Sequence, residues 1–208
     1  MSDDRKPHFS MVCSFVLADL FTFGNVVCGM SAILVCLRAL AAGSVEATRA
    51  AYWLLPAALV CDALDGRIAR WRQKSSMLGA DLDSLADIVS FGVAPAVLGY
   101  TMGLRGALDE AVLIFFVACG ISRLARFNVT ASALADETGK VRYFEGTPIP
   151  TSLMLVLLLG MQLHGGATLD RLWGGVSQLG GMQFHPFVLA YATLGATMVS
   201  ATLRIPKI

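Results

Sequence analysis

The chain has 208 residues, of which 56% are hydrophobic and only 15% are charged, and its mean hydropathy is +0.66. A soluble domain carries about 25% charged residues, so this composition excludes an ordinary water-soluble globule, and the apolar content excludes a disordered chain. The 16 basic and 15 acidic residues nearly cancel, which disfavours a nucleic-acid-binding protein and leaves a polytopic membrane protein with a single domain over residues 1–208.

Six apolar runs predict six transmembrane helices in an all-α fold, because a helix needs about 20 residues to cross the hydrocarbon core. The mixed segment Phe9–Leu17 predicts a short interfacial helix before the first run. The second and fourth runs reach a spanning length only if the charged residues at their ends belong to the helices. The runs are Leu20–Leu37, Ala50–Cys61, Ile88–Met102, Ala111–Ile121, Pro148–Leu163 and Phe187–Leu203.

The basic residues are distributed unequally between the two sides that these spans define. Most of them lie at the N-terminus, the connections between spans two and three and between spans four and five, and the C-terminus. The other side holds only Arg38, Arg49, Arg105 and Arg171. Because cytoplasmic loops carry the excess of Lys and Arg, we expect both termini and these two connections on the cytosolic side.

Two pairs of aspartates flank the connection between the second and third spans. Asp62 and Asp65 are three residues apart, and Asp83 and Asp87 are four apart, so each pair lies on one helical face. The short connection predicts that the two helices are antiparallel neighbours. We therefore expect the four carboxylates to converge at the cytosolic edge of the membrane.

Four ionised carboxylates at this depth are costly, at about 2.5 kcal/mol or more each, unless cations bind between them. Oxygen ligands alone favour hard ions such as Mg²⁺, Mn²⁺ or Ca²⁺ over zinc. Gly66 and Gly79 lie beside the pairs and leave room for a ligand. The alternative, surface aspartates paired with the basic residues that follow Asp65, explains a single Asp better than all four at this spacing.

The stretch Asp62-Ala-Leu-Asp65-Gly66-Arg-Ile-Ala69-Arg70, followed by Gly79, Asp83 and Asp87, matches the pattern D-x2-D-G-x2-A-R-x8-G-x3-D-x3-D at every fixed position. In this it resembles the CDP-alcohol phosphotransferase family. That resemblance implies a six-helix membrane enzyme, usually a homodimer, that transfers a phosphatidyl or phosphoalcohol group from a CDP-linked donor to an alcohol. It also implies that Asp62, Asp65 and Asp83 bind metal and that Asp87 is both a metal ligand and the general base.

Three further stretches, Asp83–Pro95, Ser122–Thr130 and Tyr143–Pro150, are similar to the phosphatidylserine synthase branch of that family, and the likeness runs from about His8 to Lys207. One departure is Thr147, where that branch would have Leu. The resemblance implies that the donor is CDP-diacylglycerol, the acceptor is L-serine, and two divalent cations, Mg²⁺ or Mn²⁺, take part. The residues that it assigns to donor binding are Thr22, Asn25, Gly66, Arg70 and Ser76, and Arg123–Asn128 is the region that it assigns to serine.

The residues themselves favour a zwitterionic acceptor. A carboxylate suits the guanidinium fork of an arginine, and Arg123 and Arg126 lie three apart on one face at the cytosolic end of the fourth span. An ammonium group suits a carboxylate, and Glu145 precedes the fifth span. With Asn128, these residues are the predicted serine site. Lipid phosphates or the donor diphosphate remain alternative partners of the arginines, and a helix-start role remains open for Glu145.

Two other functions remain open at this point. One is a sister transferase that uses inositol, glycerol phosphate or another alcohol with the same donor. The other is a divalent-cation channel or carrier, which would need acidic residues along a path across the bilayer. The acidic residues of the spans lie at the cytosolic side and none lies in the outer halves of the helices, which favours an enzyme.

Overall fold

The computed structural model describes residues 17–72, 77–133, 143–165, 172–179, 181–200 and 204–206. Over these residues the fold is helical, with four strands of three residues each, so the predicted all-α membrane fold is confirmed. The α-helices are α1 (Leu17–Ala42), α2 (Val45–Arg72), α3 (Met77–Asp87), α4 (Ala94–Thr101), α5 (Ala107–Ala133), α6 (Leu153–His164) and α7 (Val188–Val199). The strands are β1 (Tyr143–Glu145), β2 (Ser177–Leu179), β3 (Met182–Phe184) and β4 (Arg204–Pro206).

The helices of the second, third and fourth runs extend beyond the apolar residues into the charged residues at their ends. The sixth run was predicted to reach Leu203, but its helix ends at Val199. The second run stops at Cys61, but α2 continues to Arg72, and the helix that contains the third run begins at Met77 rather than Ile88. The aspartates therefore lie on regular helix, and their spacing of three and four residues aligns them as the sequence predicts. The predicted interfacial helix Phe9–Leu17 lies outside the described residues, apart from Leu17 at the start of α1.

A π-helical segment, Ile88–Val93, joins α3 to α4 without a break and begins directly after Asp87. π-Helical turns inside helices are rare and occur often at functional sites, because the extra residue rotates the side chains that follow. Ser90, Phe91 and Gly92 of this segment are buried. The composite helix α3–π–α4 therefore carries two aspartates at one end and a buried core segment in its middle.

Helix α1 is the shared neighbour of the helices that carry the aspartates. It packs along α2 and also contacts α3, the π-helical segment and α4. A tight turn at Gly43 (φ +61°) reverses the chain between α1 and α2, and the Ser44 hydroxyl then caps α2 by accepting a hydrogen bond from the Ala47 N–H at 3.2 Å. The helices of the second and third apolar runs, which the sequence predicts to be neighbours, do contact each other, and both also pack against α1. No pattern in the sequence indicated this part of α1.

Two pairs of short strands flank α6 and α7, one pair at each end of these helices. β1, before α6, pairs antiparallel with β4, after α7, and β2 pairs with β3 between those helices. The β2–β3 end is anchored by Asp109 in the first turn of α5, which accepts hydrogen bonds from the Gly106 N–H and from the backbone and ring of His185. These contacts fix α5 and α7 to each other at the end opposite the aspartates.

Among the described residues, three helical stretches are long and apolar enough to cross a membrane, namely Leu20–Ala42, Gly79–Thr101 and Ala107–Val129. The described residues also contain two shorter apolar stretches: the 3₁₀ turn Ile149–Ser152 with α6, and α7. Large apolar side chains such as Leu20, Val27 and Ile114 point outward, which suits lipid and would be unfavourable in water. These features are those of an integral membrane protein.

Candidate active site

Three carboxylates converge between α2 and α3: Asp62 lies ten residues before the end of α2, and Asp83 and Asp87 lie in the second half of α3. One carboxylate oxygen from each of Asp62, Asp83 and Asp87 lies within 4.8 Å of the others, and all three side chains are partly or largely buried. We call these residues the carboxylate cluster. A set of oxygen ligands this close together suits a hard divalent cation such as Mg²⁺ or Mn²⁺, because such a cation offsets the mutual repulsion of the anions. The donor set therefore fits the predicted metal.

Asp65 lies beside the cluster and in a different environment. Its side chain is only 8% exposed, and its Oδ2 accepts a hydrogen bond from the Thr22 hydroxyl on α1. Asp65 interacts electrostatically with Asp62 and Asp83. The structure thus gathers three of the four predicted carboxylates at one point and holds the fourth against α1.

Helix α1 also reaches the cluster through Asn25, which is fully buried. The Asn25 side-chain amide donates to Asp87 Oδ1 at 3.3 Å, and its backbone oxygen accepts a hydrogen bond from the Ser90 hydroxyl at 3.0 Å. Gly29 lies directly against Ser90. Ser90 was not among the residues predicted for the site. The signal was present, since Ser90 is an isolated polar residue in the apolar run that follows Asp87.

The residues that the resemblance assigns to the donor are only partly described. Thr22 and Asn25 both face the aspartates, as their hydrogen bonds require. Gly66 is exposed, and a Cβ added there would meet no atom of the described residues within 4 Å, so these residues leave open space beside α2. Arg70 belongs to α2, but its side chain and the whole of Ser76 lie outside the described residues.

The two predicted arginines of the serine site have different neighbours. Arg123 is half-buried, interacts electrostatically with Asp87, and lies over the ring of Phe127 with 5.4 Å between Cζ and the ring centroid. Arg126 is exposed, and its Nη1 donates to the backbone oxygen of Val199 at the last residue of α7, at 3.5 Å. Arg123 is the one that interacts electrostatically with a member of the carboxylate cluster, Asp87.

Asn128 faces α3 on another side. Its Oδ1 accepts a hydrogen bond from the Ser84 hydroxyl at 3.1 Å, and its Nδ2 donates to Asp81 at 3.2 Å. These three residues line one end of a cavity of about 360 Å³ between α3 and α5. Glu145 lies in β1, and its side chain is outside the described part of the chain.

Comparison with known proteins agrees with this geometry. The model of the CDP-alcohol phosphatidyltransferase family matches residues 15–199, which contain the whole carboxylate cluster. A Saccharomyces cerevisiae protein named CDP-diacylglycerol--serine O-phosphatidyltransferase is 42% identical over 205 residues, 96% of this chain and 74% of its own length.

Proteins with the same name from two other organisms are more distant. The Helicobacter pylori protein (strain 26695) is 38% identical over 69% of this chain, and the Methanocaldococcus jannaschii protein is 34% identical over 72%. The matches span 56% and 62% of those relatives' own lengths, so this chain covers little more than half of each. The likeness in each case extends well beyond a single motif.

Proposed function

Because this chain belongs to the CDP-alcohol phosphatidyltransferase family, we propose that it transfers the phosphatidyl group of CDP-diacylglycerol to the hydroxyl of L-serine, giving phosphatidylserine and CMP. The observation that carries the proposal is the carboxylate cluster of Asp62, Asp83 and Asp87, located inside the family match. The names of the relatives support serine as the acceptor. The apolar helices support a lipid donor whose acyl chains remain in the bilayer.

We assign the metal site to Asp62, Asp65, Asp83 and Asp87, with two divalent cations, Mg²⁺ or Mn²⁺, as its occupants. Bound there, the cations would neutralise the donor diphosphate and polarise its phosphorus as Lewis acids. The hydrogen bond from Thr22 gives Asp65 a fixed orientation before any ligand arrives. The close approach of the other three carboxylates supplies the local negative charge that a cation needs.

The proposed chemistry is a displacement at the phosphorus of the phosphatidyl group. The serine hydroxyl oxygen forms the new bond to this phosphorus, the bond to CMP breaks, and its electron pair leaves with CMP. Asp87 accepts the proton of the serine hydroxyl. Its buried position and its hydrogen bond from Asn25 support this role, because a general base must be held within hydrogen-bond reach of the proton that it removes.

We place the donor against α1 and α2, in contact with Thr22, Asn25, Gly66, Arg70 and Ser76. Two observations support this placement. Asn25 Oδ1 is buried and has no hydrogen-bond partner among the described residues, so it can accept an N–H or O–H of a bound ligand. The open space at Gly66 allows a ligand to approach the backbone.

For serine, we propose that Arg123 binds the carboxylate, because it is the predicted arginine that lies beside Asp87. A guanidinium fork binds a carboxylate through two parallel hydrogen bonds, which would orient the hydroxyl of serine toward the base. Arg126, Asn128 and Glu145 remain proposed members of the acceptor site.

We further propose that the enzyme is a homodimer with both termini and the active site on the cytosolic side. The unequal distribution of basic residues supports the orientation. Accessibility of single cysteines introduced at Gly43 and Gly66 to a membrane-impermeant maleimide in right-side-out and inverted vesicles tests it. Labelling of position 66 from the outside would contradict it.

Chemical cross-linking in native membranes tests the dimer. Recovery of the monomer alone after cross-linking would contradict the proposed homodimer.

The experiment that tests the function is CMP release by the purified chain in detergent micelles that contain CDP-diacylglycerol and Mn²⁺ or Mg²⁺. We expect release that depends on L-serine and on the cation, with phosphatidylserine as the lipid product. Inositol and glycerol phosphate serve as competing acceptors in parallel reactions. Release with one of these alcohols but not with serine would contradict the proposed acceptor, and no release with any of them would contradict the function.

A further inference from the structure

Ser90 connects the π-helical segment to α1 at the depth of the candidate active site. Its side chain is fully buried, and its hydroxyl donates to the backbone oxygen of Asn25 at 3.0 Å. Gly29, one turn further along α1, lies so close that a Cβ at this position would be 2.2 Å from Ser90 Oγ. The hydroxyl and the glycine together hold α1 close to the helix that carries Asp87.

Asn25 completes a closed set of contacts between these two helices. Its side-chain amide donates to Asp87 Oδ1 at 3.3 Å, and Asp87 lies three residues before Ser90 on the same helical stretch. Asn25 is therefore held at its backbone by Ser90, and its side chain contacts Asp87. Burial of all three side chains strengthens these hydrogen bonds, because little water competes for them.

We propose that Ser90 is a positioning residue for the transfer reaction, which fixes Asn25 so that its amide orients the carboxylate of Asp87. The proposal rests on the proposed role of Asp87 as general base. A hydrogen bond at Oδ1 restricts rotation of the carboxylate and keeps Oδ2 in a constant direction toward the hydroxyl to be deprotonated. A displacement of about 1 Å at a catalytic group costs up to a hundredfold in rate, so loss of this restraint acts mainly on kcat.

The first test compares Ser90→Ala with Ser152→Ala. Ser152 is also fully buried, but within the described part of the chain its hydroxyl makes no hydrogen bond, so the control removes the same atom without breaking a contact. We expect Ser90→Ala to lower kcat for CMP release about tenfold, the effect of one hydrogen bond, with both KM values within about twofold. Ser152→Ala should stay within about twofold of the wild type in all three constants. A kcat for Ser90→Ala equal to that of the control would overturn the proposal.

The second test asks whether Ser90 acts through Asn25. If it does, adding Ser90→Ala to Asn25→Ala should change kcat by less than about twofold, whereas independent effects would multiply. Mn²⁺ affinity, measured by electron paramagnetic resonance without substrate, should stay within about twofold in Ser90→Ala because the aspartates remain. Multiplying losses, or a loss of Mn²⁺ affinity that parallels the loss of kcat, would overturn the proposal.

The two proposals fail in different ways. If an alcohol other than serine supports CMP release, the acceptor assignment fails, and the variants are compared with that alcohol instead. If no alcohol supports release, the proposed function fails, and the role of Ser90 fails with it.

Discussion

The Thr22 hydroxyl on α1 donates a hydrogen bond to the carboxylate of Asp65 on α2, and both side chains are buried. This contact distinguishes Asp65 from the carboxylate cluster, whose members lie close to one another. A buried carboxylate that keeps a donor is stable in one orientation, whereas one that loses a donor incurs a desolvation cost. Helix α1 is therefore part of the candidate active site even though it carries none of the four aspartates.

The Thr22–Asp65 contact makes the hydroxyl of Thr22 important for turnover. We expect Thr22→Val, which keeps the shape of the side chain, to lower kcat by about tenfold or more, because hydrogen bonds to charged groups contribute about 1.5–3 kcal/mol. Thr22→Ser should retain most of the activity because it keeps the donor. CMP release by the three proteins measures this effect. Equal rates for the valine and serine variants would show that the hydroxyl is not needed.

The carboxylate cluster predicts a sharp difference between two aspartates that are two residues apart. Asp83→Asn removes a charge from the cluster and should reduce CMP release at least a hundredfold and weaken Mn²⁺ binding. Asp81→Asn makes the same change at an exposed side chain that contacts Asn128, and it should retain more than about a third of the activity. Near-normal turnover of Asp83→Asn with added Mn²⁺ or Mg²⁺ would contradict the metal assignment.

The different neighbours of the two arginines predict different kinetics. Arg123→Gln should raise KM for serine about tenfold or more and leave KM for CDP-diacylglycerol nearly unchanged, because Arg123 lies beside Asp87. Arg126→Gln should leave KM for serine within about threefold, since its exposed guanidinium contacts the end of α7. Initial rates at varied serine concentration distinguish the two. A larger rise in KM for the Arg126 variant would assign the serine carboxylate to Arg126.

Two glycines predict opposite effects on folding. Gly29→Ala places a methyl group against Ser90, so we expect a lower midpoint of thermal unfolding, with a loss of about 1–3 kcal/mol from overpacking. Gly66→Ala meets no atom of the described residues within 4 Å and replaces a glycine inside a helix, so the midpoint should stay the same or rise. Thermal unfolding in detergent compares them. If Gly66→Ala also raises KM for CDP-diacylglycerol, the open space at Gly66 is used by the donor.

The contacts of Asp109 predict a purely structural effect at the end of the bundle opposite the aspartates. His185→Ala removes the 2.7 Å contact with Asp109, whose side chain is fully buried. We expect a loss of stability of about 1–3 kcal/mol with kcat and both KM values within about twofold. Thermal unfolding and CMP release on the same preparation measure both. A specific loss of kcat at unchanged stability would show coupling between the two ends.

The sequence alone determined the class of the protein and predicted where its chemistry takes place. Its apolar runs require a helical membrane fold, because every backbone polar group inside the bilayer must be hydrogen-bonded within the chain. The spacing within the pairs Asp62/Asp65 and Asp83/Asp87 predicted that each pair shares one helical face, because an α-helix repeats every 3.6 residues. These inferences depend only on local geometry, and the structure confirms the helical fold.

The tertiary structure decided how α1 takes part and which residues of each helix meet. The hydrogen bonds of Thr22, Asn25 and Ser90 join residues that are 43 to 65 positions apart, and no local pattern specifies such pairs. The same holds for Arg123 and Asn128, which share α5 but face different neighbours. Which side chains meet depends on the rotation and depth at which the helices pack, and these are determined by close contacts such as that between Gly29 and Ser90.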